Sequence, residues 1–387
     1  MGPVLEVSLL EFLYCYLRKS TTARQLVDSW PSLAVLLREG SAASTSSPPA
    51  HFLMLALLNE FVQRASPLPE KKDQRELQDI TAKLVEVVGQ VAGACLEQTT
   101  WLRRNLSVKE EAQQDTLGYS NKNRDSKDTN VSGNGNNGNG SASGGVISTT
   151  ARHSVTAQLV LAEYLAPLLD VTYGSQEKER VVTLLTVVMY NIVPYLKNHS
   201  ARNASSFLAC SKLLASISGY QYTRRAWRKD AFDLLLDPAL FKMPPSALMY
   251  WHTIIDNLMT HDTTTFRDLM ARVSMAQSGS LSLFSSREQE YEQRAQLLKR
   301  LAFVIFCSET DQYQKYMPEI QERLADSLRL PQVVPSVQAQ VFLCFRVLLL
   351  RMSPSNITSL WPTIISEMVQ VFLLIEREFT ADSEEFR

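Results

Sequence analysis

Leu360-Trp-Pro-Thr-Ile-Ile-Ser-Glu-Met-Val-Gln-Val-Phe-Leu-Leu-Ile375 decides the fold class. Its large apolar residues (Leu360, Trp361, Ile364, Ile365, Met368, Val371, Phe372 and Ile375) recur at i, i+3 and i+4. That is the spacing of a helix face, not the alternation of a strand. The same period places helices at roughly 3–19, 22–39, 49–66, 73–103, 152–170, 176–197, 202–218, 223–236, 245–260, 263–276, 286–308, 312–329, 334–352 and 357–379. No segment sustains period-2 alternation, so an all-α protein is expected.

Glycine usage agrees. Six of the 14 glycines lie between Gly133 and Gly145, leaving about 2% for the rest of the chain against a usual ~7%. Folds rich in phosphate-binding glycine loops or tight hairpins are hard to build from such a chain, whereas helices are easy. Ser285-Ser-Arg-Glu288 has the capping-box pattern of a helix start. The pattern apolar-Pro-x-apolar recurs at Trp30-Pro-Ser-Leu33, Val193-Pro-Tyr-Leu196, Met317-Pro-Glu-Ile320 and Trp361-Pro-Thr-Ile364. Pro318 and Pro362 are spaced within the ~40–47 residue period of HEAT or armadillo helix pairs. The expected architecture is therefore a HEAT/armadillo-like stack of antiparallel helix pairs, an α-solenoid with degenerate repeats.

Residues 105–150 break with their surroundings. They are rich in Asn, Ser, Gly and Asp and end in Gly133-Asn-Gly-Asn-Asn-Gly-Asn-Gly140. Too little apolar surface is available there to offset ordering entropy, so a disordered insertion is expected. It divides the chain into an N-terminal helical region (1–104) and a helical-repeat region (151–387). Gly40 to Pro49 reads as a shorter polar loop.

The 387 residues exceed what one compact core usually holds, and their 45% hydrophobic content supports a sizeable interior. The net charge of −1 argues against a general nucleic-acid binder, which needs surplus cations to displace counterions. Mean hydropathy is −0.11. Uninterrupted apolar runs are short, as at Leu301 to Cys307 and Val347 to Leu350. They fall well below the ~20 residues that span a bilayer, so no integral membrane segment is expected. Cys15, Cys95, Cys210, Cys307 and Cys344 are scattered and form no CxxC pair, which fits a reducing compartment. Glu6 and Glu11 interrupt the N-terminal apolar stretch, and Glu6 stands where an N-myristoylation signal needs Ser or Thr. The five N-x-[ST] sequons at Asn105, Asn130, Asn198, Asn203 and Asn356 are therefore read as chance, and the expected location is cytosolic.

No phosphate loop, dinucleotide fingerprint, nucleophile elbow, zincin or kinase signature is present. His252 and Asp256 share a helix face, with His261 and Asp262 beyond, and His153 lies at the insertion's edge. A metal site there would draw its ligands mainly from one helix, so no metal, cofactor or enzyme activity is expected. The sharper feature is Tyr220-Gln-Tyr-Thr-Arg-Arg-Ala-Trp-Arg-Lys229. On a helix, Arg224, Arg225, Arg228 and Lys229 fall within about 140° of one face, flanked by Tyr220, Tyr222 and Trp227. Clustered bases with interfacial aromatics suit an anionic headgroup or an acidic partner. Alternatively, they form a solvated face whose arginine stems cover apolar neighbours. Leu348-Leu-Leu350 and Val371-Phe-Leu-Leu-Ile375 could mark a partner surface or zipper-like seam, but the favoured reading places them in the core.

From about residue 285 the sequence resembles the C-terminal part of the Dopey family. The resemblance rests on Glu292-Gln-Arg294, Leu298-Lys-Arg-Leu-Ala-Phe303, Asp311-Gln-Tyr-Gln-Lys-Tyr316 and Ile320-Gln-Glu-Arg-Leu324. Leu328-Arg-Leu-Pro-Gln332, Phe345-Arg-Val-Leu-Leu-Leu-Arg-Met-Ser-Pro354 and Ser359-Leu-Trp-Pro362 extend it. Residues 151–284, including Tyr250-Trp-His-Thr-Ile254, are compatible with it. The resemblance implies a non-catalytic helical-repeat scaffold on trans-Golgi and endosomal membranes. The implied partners are a large Golgi scaffold related to Arf exchange factors, a P-type phospholipid flippase, the kinesin light chain and phosphoinositide membranes. Family members are several times longer and continue beyond the Thr380-Ala-Asp382 segment, so a fragment or truncated product is expected, and the kinesin link is the one most exposed to the missing part. The competing reading is a cytosolic regulatory subunit of another complex, with no membrane role.

Overall fold

A computed structural model describes the backbone of residues 3–42, 46–118, 141–277, 287–330 and 333–380, and the side chains of 4–42, 46–95, 149–276, 287–330 and 333–380. Among these residues every regular element is helical and no strand occurs. The chain divides into two compact units, Met1–Asp230 with Lys242–Tyr250, and Ala231–Phe241 with Trp251–Arg387.

The first unit is built from α1 (Pro3–Ser20), α2 (Ala23–Ala42), α3 (Pro48–Arg64), α4 (Lys71–Gly118), α5 (Ser141–Thr172), α6 (Lys178–Leu196), α7 (Ala204–Ser218) and the start of α8 (Arg224–Leu236). Helices α1, α3, α5 and α7 pack side by side in one layer, and α2, α4 and α6 in the other. This is the two-layer arrangement of an α-solenoid. Its core holds Trp30 tilted against Phe61 at 5.0 Å between ring centres, with Leu55, Leu84, Leu165, Leu185 and Phe207 buried.

The second unit contains the end of α8, most of α9 (Leu248–Thr260), α10 (Thr263–Gln277), α11 (Arg287–Phe306), α12 (Met317–Leu328), α13 (Pro335–Arg351), α14 (Pro354–Ile357) and α15 (Trp361–Thr380). Here α11 packs on α13 and α10 on α12, again as two layers. Trp251, Phe266, Leu298 and Phe345 are fully buried.

Several details refine the expectations. Pro318 and Pro362 lie in the first turns of α12 and α15, where a missing N–H costs nothing. Pro31 and Pro194 instead lie inside α2 and α6. Helical backbone enters the insertion from both sides, because α4 runs to Gly118 and α5 begins at Ser141. Extending an existing helix avoids the cost of nucleating one, and Lys109-Glu-Glu-Ala-Gln-Gln114 are good helix formers. The remainder, 119–140, lies outside the described residues, as does Ser285 of the capping-box pattern. The polar loop also shortens, since α2 continues to Ala42 and α3 starts at Pro48.

Two further expectations need correction. Thr149–Thr172, Ser175–Leu196 and Pro354–Thr380 are long and apolar enough, by length and composition, to cross a membrane. Counting uninterrupted runs missed them because isolated polar residues break a run without lowering its average much. The first two segments are 44% and 39% buried within the first unit, but the third is only 17% buried. Correspondingly, the apolar stripe of α15 is not core. Ile364 is its sole buried residue among those described, while Phe372 and Leu373 are exposed. In α13, Leu348 is buried but Leu349 and Leu350 face outward.

Candidate functional site

The cationic segment opens α8 and lies wholly in the first unit. A short 3-10 turn, Gln221–Thr223, leads into it. Thr223 is buried and donates its hydroxyl to the Ile217 and Tyr220 carbonyls at 2.8 and 2.7 Å. This ties α8 to the end of α7 and fixes its rotation. One face therefore turns inward. Trp227 is fully buried, and its indole Nε1 donates to Thr223 Oγ1 at 2.9 Å. The expectation that Trp227 is an interfacial aromatic is thus corrected: it is the core anchor of the helix. A buried indole needs a partner for its N–H, and Thr223, one turn earlier, supplies it.

The cations split into two rows. Arg225 and Lys229 are exposed, whereas Arg224 and Arg228 are half-buried. Arg225 donates to Glu179 Oε1 at 2.5 Å, with both side chains well exposed. Tyr222 is half-buried beneath the Lys178 ammonium, which sits 4.1 Å from its ring centre. Lys178 also pairs with Asp170 at 3.0 Å. Burial, reinforced by the Asp170 carboxylate, pushes the Tyr222 phenol up, so Tyr222 stays neutral. Tyr220 stands beside it, with ring centres 5.9 Å apart.

Sequence reasoning found the bases but missed Asp170, Lys178 and Glu179. These arrive from α5 and α6, and no local pattern announces them. Their presence changes the electrostatics, since Lys178 adds a cation while Asp170 and Glu179 temper the field. An exposed ion pair such as Arg225–Glu179 contributes only about 0–1 kcal/mol, so an incoming anion can compete for Arg225 at little cost.

The histidine and aspartate candidates of α9 lie in the second unit, and His153 lies in the first. His252 and Asp256 are on one face of α9 as expected, but the His252 ring packs edge-on to Phe306 at 6.1 Å. Burial, reinforced by the Glu309 carboxylate, raises the Asp256 carboxyl above its usual range. Among the described residues no group of three or more His, Cys, Asp or Glu side chains is placed to hold a metal ion. His153 instead packs edge-on to Phe52 at 6.5 Å.

Two-layer helical packing defines an α-helical repeat protein. Comparison makes this specific: the family described as DOP1 C-terminal matches residues 12–386, and the chain belongs to the DOP1 (Dopey) family. It is 59% identical over 383 residues to Protein DOP1 homolog of Drosophila melanogaster, covering 98% of this chain and 14% of that protein. Protein DOP1B of Mus musculus is 45% identical, covering 99% and 16% respectively. Protein pad-1 of Caenorhabditis elegans is 37% identical, covering 93% and 17%. The chain thus spans well under a fifth of the length of these relatives. No solved structure matches it.

Proposed function

We propose that this chain is a non-catalytic scaffold segment that joins protein partners to a phosphoinositide-containing membrane in traffic between the trans-Golgi and endosomes. The observation that carries the reading is the exposed Arg225–Lys229 row at the start of α8, backed by Lys178, within a chain of the DOP1 family. Each basic residue near an anionic surface contributes ~1 kcal/mol. Attachment is therefore weak per contact, and stable residence requires a second, membrane-bound partner acting through avidity. Family resemblance supports a large Arf-exchange-factor-related scaffold and a P-type phospholipid flippase as such partners, and ties kinesin light chain to the part of the family's length that this chain does not span. The helical layers supply rigid, extended walls for docking.

Co-pelleting with phosphatidylcholine vesicles, with and without a phosphoinositide, tests the proposal. Binding to the phosphoinositide vesicles, weakened by salt and reduced at least tenfold by Arg225→Glu with Lys229→Glu, is the expected result. Unaltered pelleting of that variant removes the patch from the proposal, and an unbound wild-type chain favours a soluble regulatory subunit.

A further inference from the structure

Two carboxylates stand among the cations of the α8 site, and they are held differently. Asp170 accepts from Lys178 Nζ at 3.0 Å. The same ammonium donates to the Asp170 carbonyl at 3.2 Å and sits over the Tyr222 ring. Because the Lys178 side chain is also only 22% exposed, this pair is a fixed part of the fold. Glu179 is not. Among the described residues its carboxylate has one polar partner, Arg225 Nη1, which donates to Oε1 at 2.5 Å. The Arg225 and Glu179 side chains are 71% and 76% exposed.

The backbone sets this meeting. Glu179 lies in the first turn of α6, where an acidic residue is favoured by the helix dipole. The Gln221–Thr223 turn that opens α8 packs on α6, and Thr223 holds the rotation of α8. Arg225 and Lys229, four residues apart, share the exposed face. A guanidinium fork receives a carboxylate and a phosphate in the same geometry. Glu179 therefore fills on Arg225 the place that an incoming phosphate needs. Being tethered to the same fold, it does so at a high effective concentration. Because the pair is exposed and screened, the resulting loss of affinity is bounded at about fivefold.

We propose, resting on the anion site assigned above to α8, that Glu179 is a built-in competitor of that site: it occupies Arg225 in the unbound chain, and a phosphate monoester headgroup binds by displacing it. The phosphate wins the exchange on a membrane that concentrates it, since it carries up to two charges and three acceptor oxygens against the single charge of Glu179. The contact keeps the site weak on its own, so residence depends on the second, membrane-bound partner.

A double-mutant cycle tests this, using the purified chain and phosphatidylcholine vesicles that contain a phosphatidylinositol monophosphate. Glu179→Gln keeps the side chain's shape and removes its charge. It should tighten vesicle binding by about two- to fivefold. Arg225→Gln should weaken binding, and adding Glu179→Gln to it should change nothing further, because the competitor then has nothing to occupy. Both side chains are exposed, so the variants should keep the circular dichroism spectrum of the parent. An equal gain in the two backgrounds would mean that Glu179 acts only through the general field, and weaker binding by Glu179→Gln would make it a support for Arg225. Either result overturns the proposal, as does unchanged affinity, while leaving the α8 site standing. Failure of both the parent and Glu179→Gln to bind these vesicles removes the α8 site itself, and the proposal with it.

Discussion

Arg300 Nε donates to the Leu235 carbonyl at 2.9 Å. Its Nη2 reaches the Leu236 carbonyl, also at 2.9 Å, so one buried guanidinium on α11 closes the C-terminal end of α8. The last carbonyls of a helix have no intrahelical partner, and many helices solve this with a left-handed glycine. A chain with so few glycines needs another solution. Arg294 on the same helix donates to the Ala276 carbonyl near the end of α10 at 3.3 Å. In the first unit, Arg64 of α3 donates to the Leu17, Arg18 and Thr21 carbonyls at 2.6, 2.9 and 2.7 Å, closing α1. Neighbouring helices thus cap one another through arginine, and the cationic caps also complement the negative end of the helix dipole.

Arg300→Met should therefore be costly although Met fits the space well. It orphans two carbonyls, each worth about 1–3 kcal/mol when left unsatisfied. We expect a loss of about 2–6 kcal/mol and a Tm lower by several degrees or more, measured by thermal circular dichroism. A Tm unchanged by the substitution would show that water replaces the cap freely.

Asp311 should make the second unit acid-sensitive. It is the one non-glycine residue with positive φ among those described, at 63°. Its backbone N–H donates to the Arg351 carbonyl at 2.9 Å. Its carboxylate accepts from the Ser353 amide at 2.8 Å and from the Ser353 hydroxyl, locking the loop before α12 onto the start of α14. Hydrogen bonds from Asn356 and Ser353 hold the carboxyl below its usual range. The folded pKa is depressed, so this stabilisation is present above the ordinary aspartate value of about 3.9 and is lost as pH falls through the lower folded value. Asp311→Asn should flatten the fall in Tm below about pH 4, while the wild type keeps it. Asparagine tolerates the left-handed region, so backbone strain does not confuse the comparison. Equal pH profiles would remove Asp311 as the sensor.

Gly89 and Gly93 of α4 both face Asn191 of α6, and their alanine variants should differ in sign. A Cβ on Gly89 would lie 3.6 Å from Asn191 Nδ2, an ordinary contact. A Cβ on Gly93 would meet Asn191 Oδ1 at 2.8 Å and Cβ at 3.2 Å. Gly to Ala inside a helix contributes roughly 0.5–1 kcal/mol, so Gly89→Ala should stabilise. Gly93→Ala should lower stability by about 1–3 kcal/mol through overpacking. Adding Asn191→Ala should recover most of that loss. Urea titrations of the three variants check the ranking.

Charge reversal on α8 should separate binding from folding. Arg225→Glu replaces the exposed pair with Glu179 by an exposed like-charge contact, each worth about 0–1 kcal/mol, and should leave Tm within a few degrees while weakening phosphoinositide binding. Trp227→Ala removes a fully buried side chain and should cost about 3–5 kcal/mol. A variant pair with the opposite pattern would mean that the helix faces are assigned the wrong way round.

Helical periodicity and the near absence of glycine outside one segment were enough to determine an all-helical stack. Both act within a few turns of chain, where side-chain spacing alone sets which residues share a face. The cations from Arg224 to Lys229 were legible for the same reason. The fate of each face was not. Trp227 looked like an interfacial aromatic until Thr223 pinned α8 and turned it inward, and the stripe of α15 looked like core until the described helices left it uncovered. Asp170, Lys178 and Glu179 join the α8 site from other helices, just as Arg300 reaches Leu235 across 65 residues. A one-dimensional pattern fixes which side chains lie together on a helix. Only packing decides which neighbour covers them, because burial and long-range hydrogen bonding depend on the positions of helices distant in sequence.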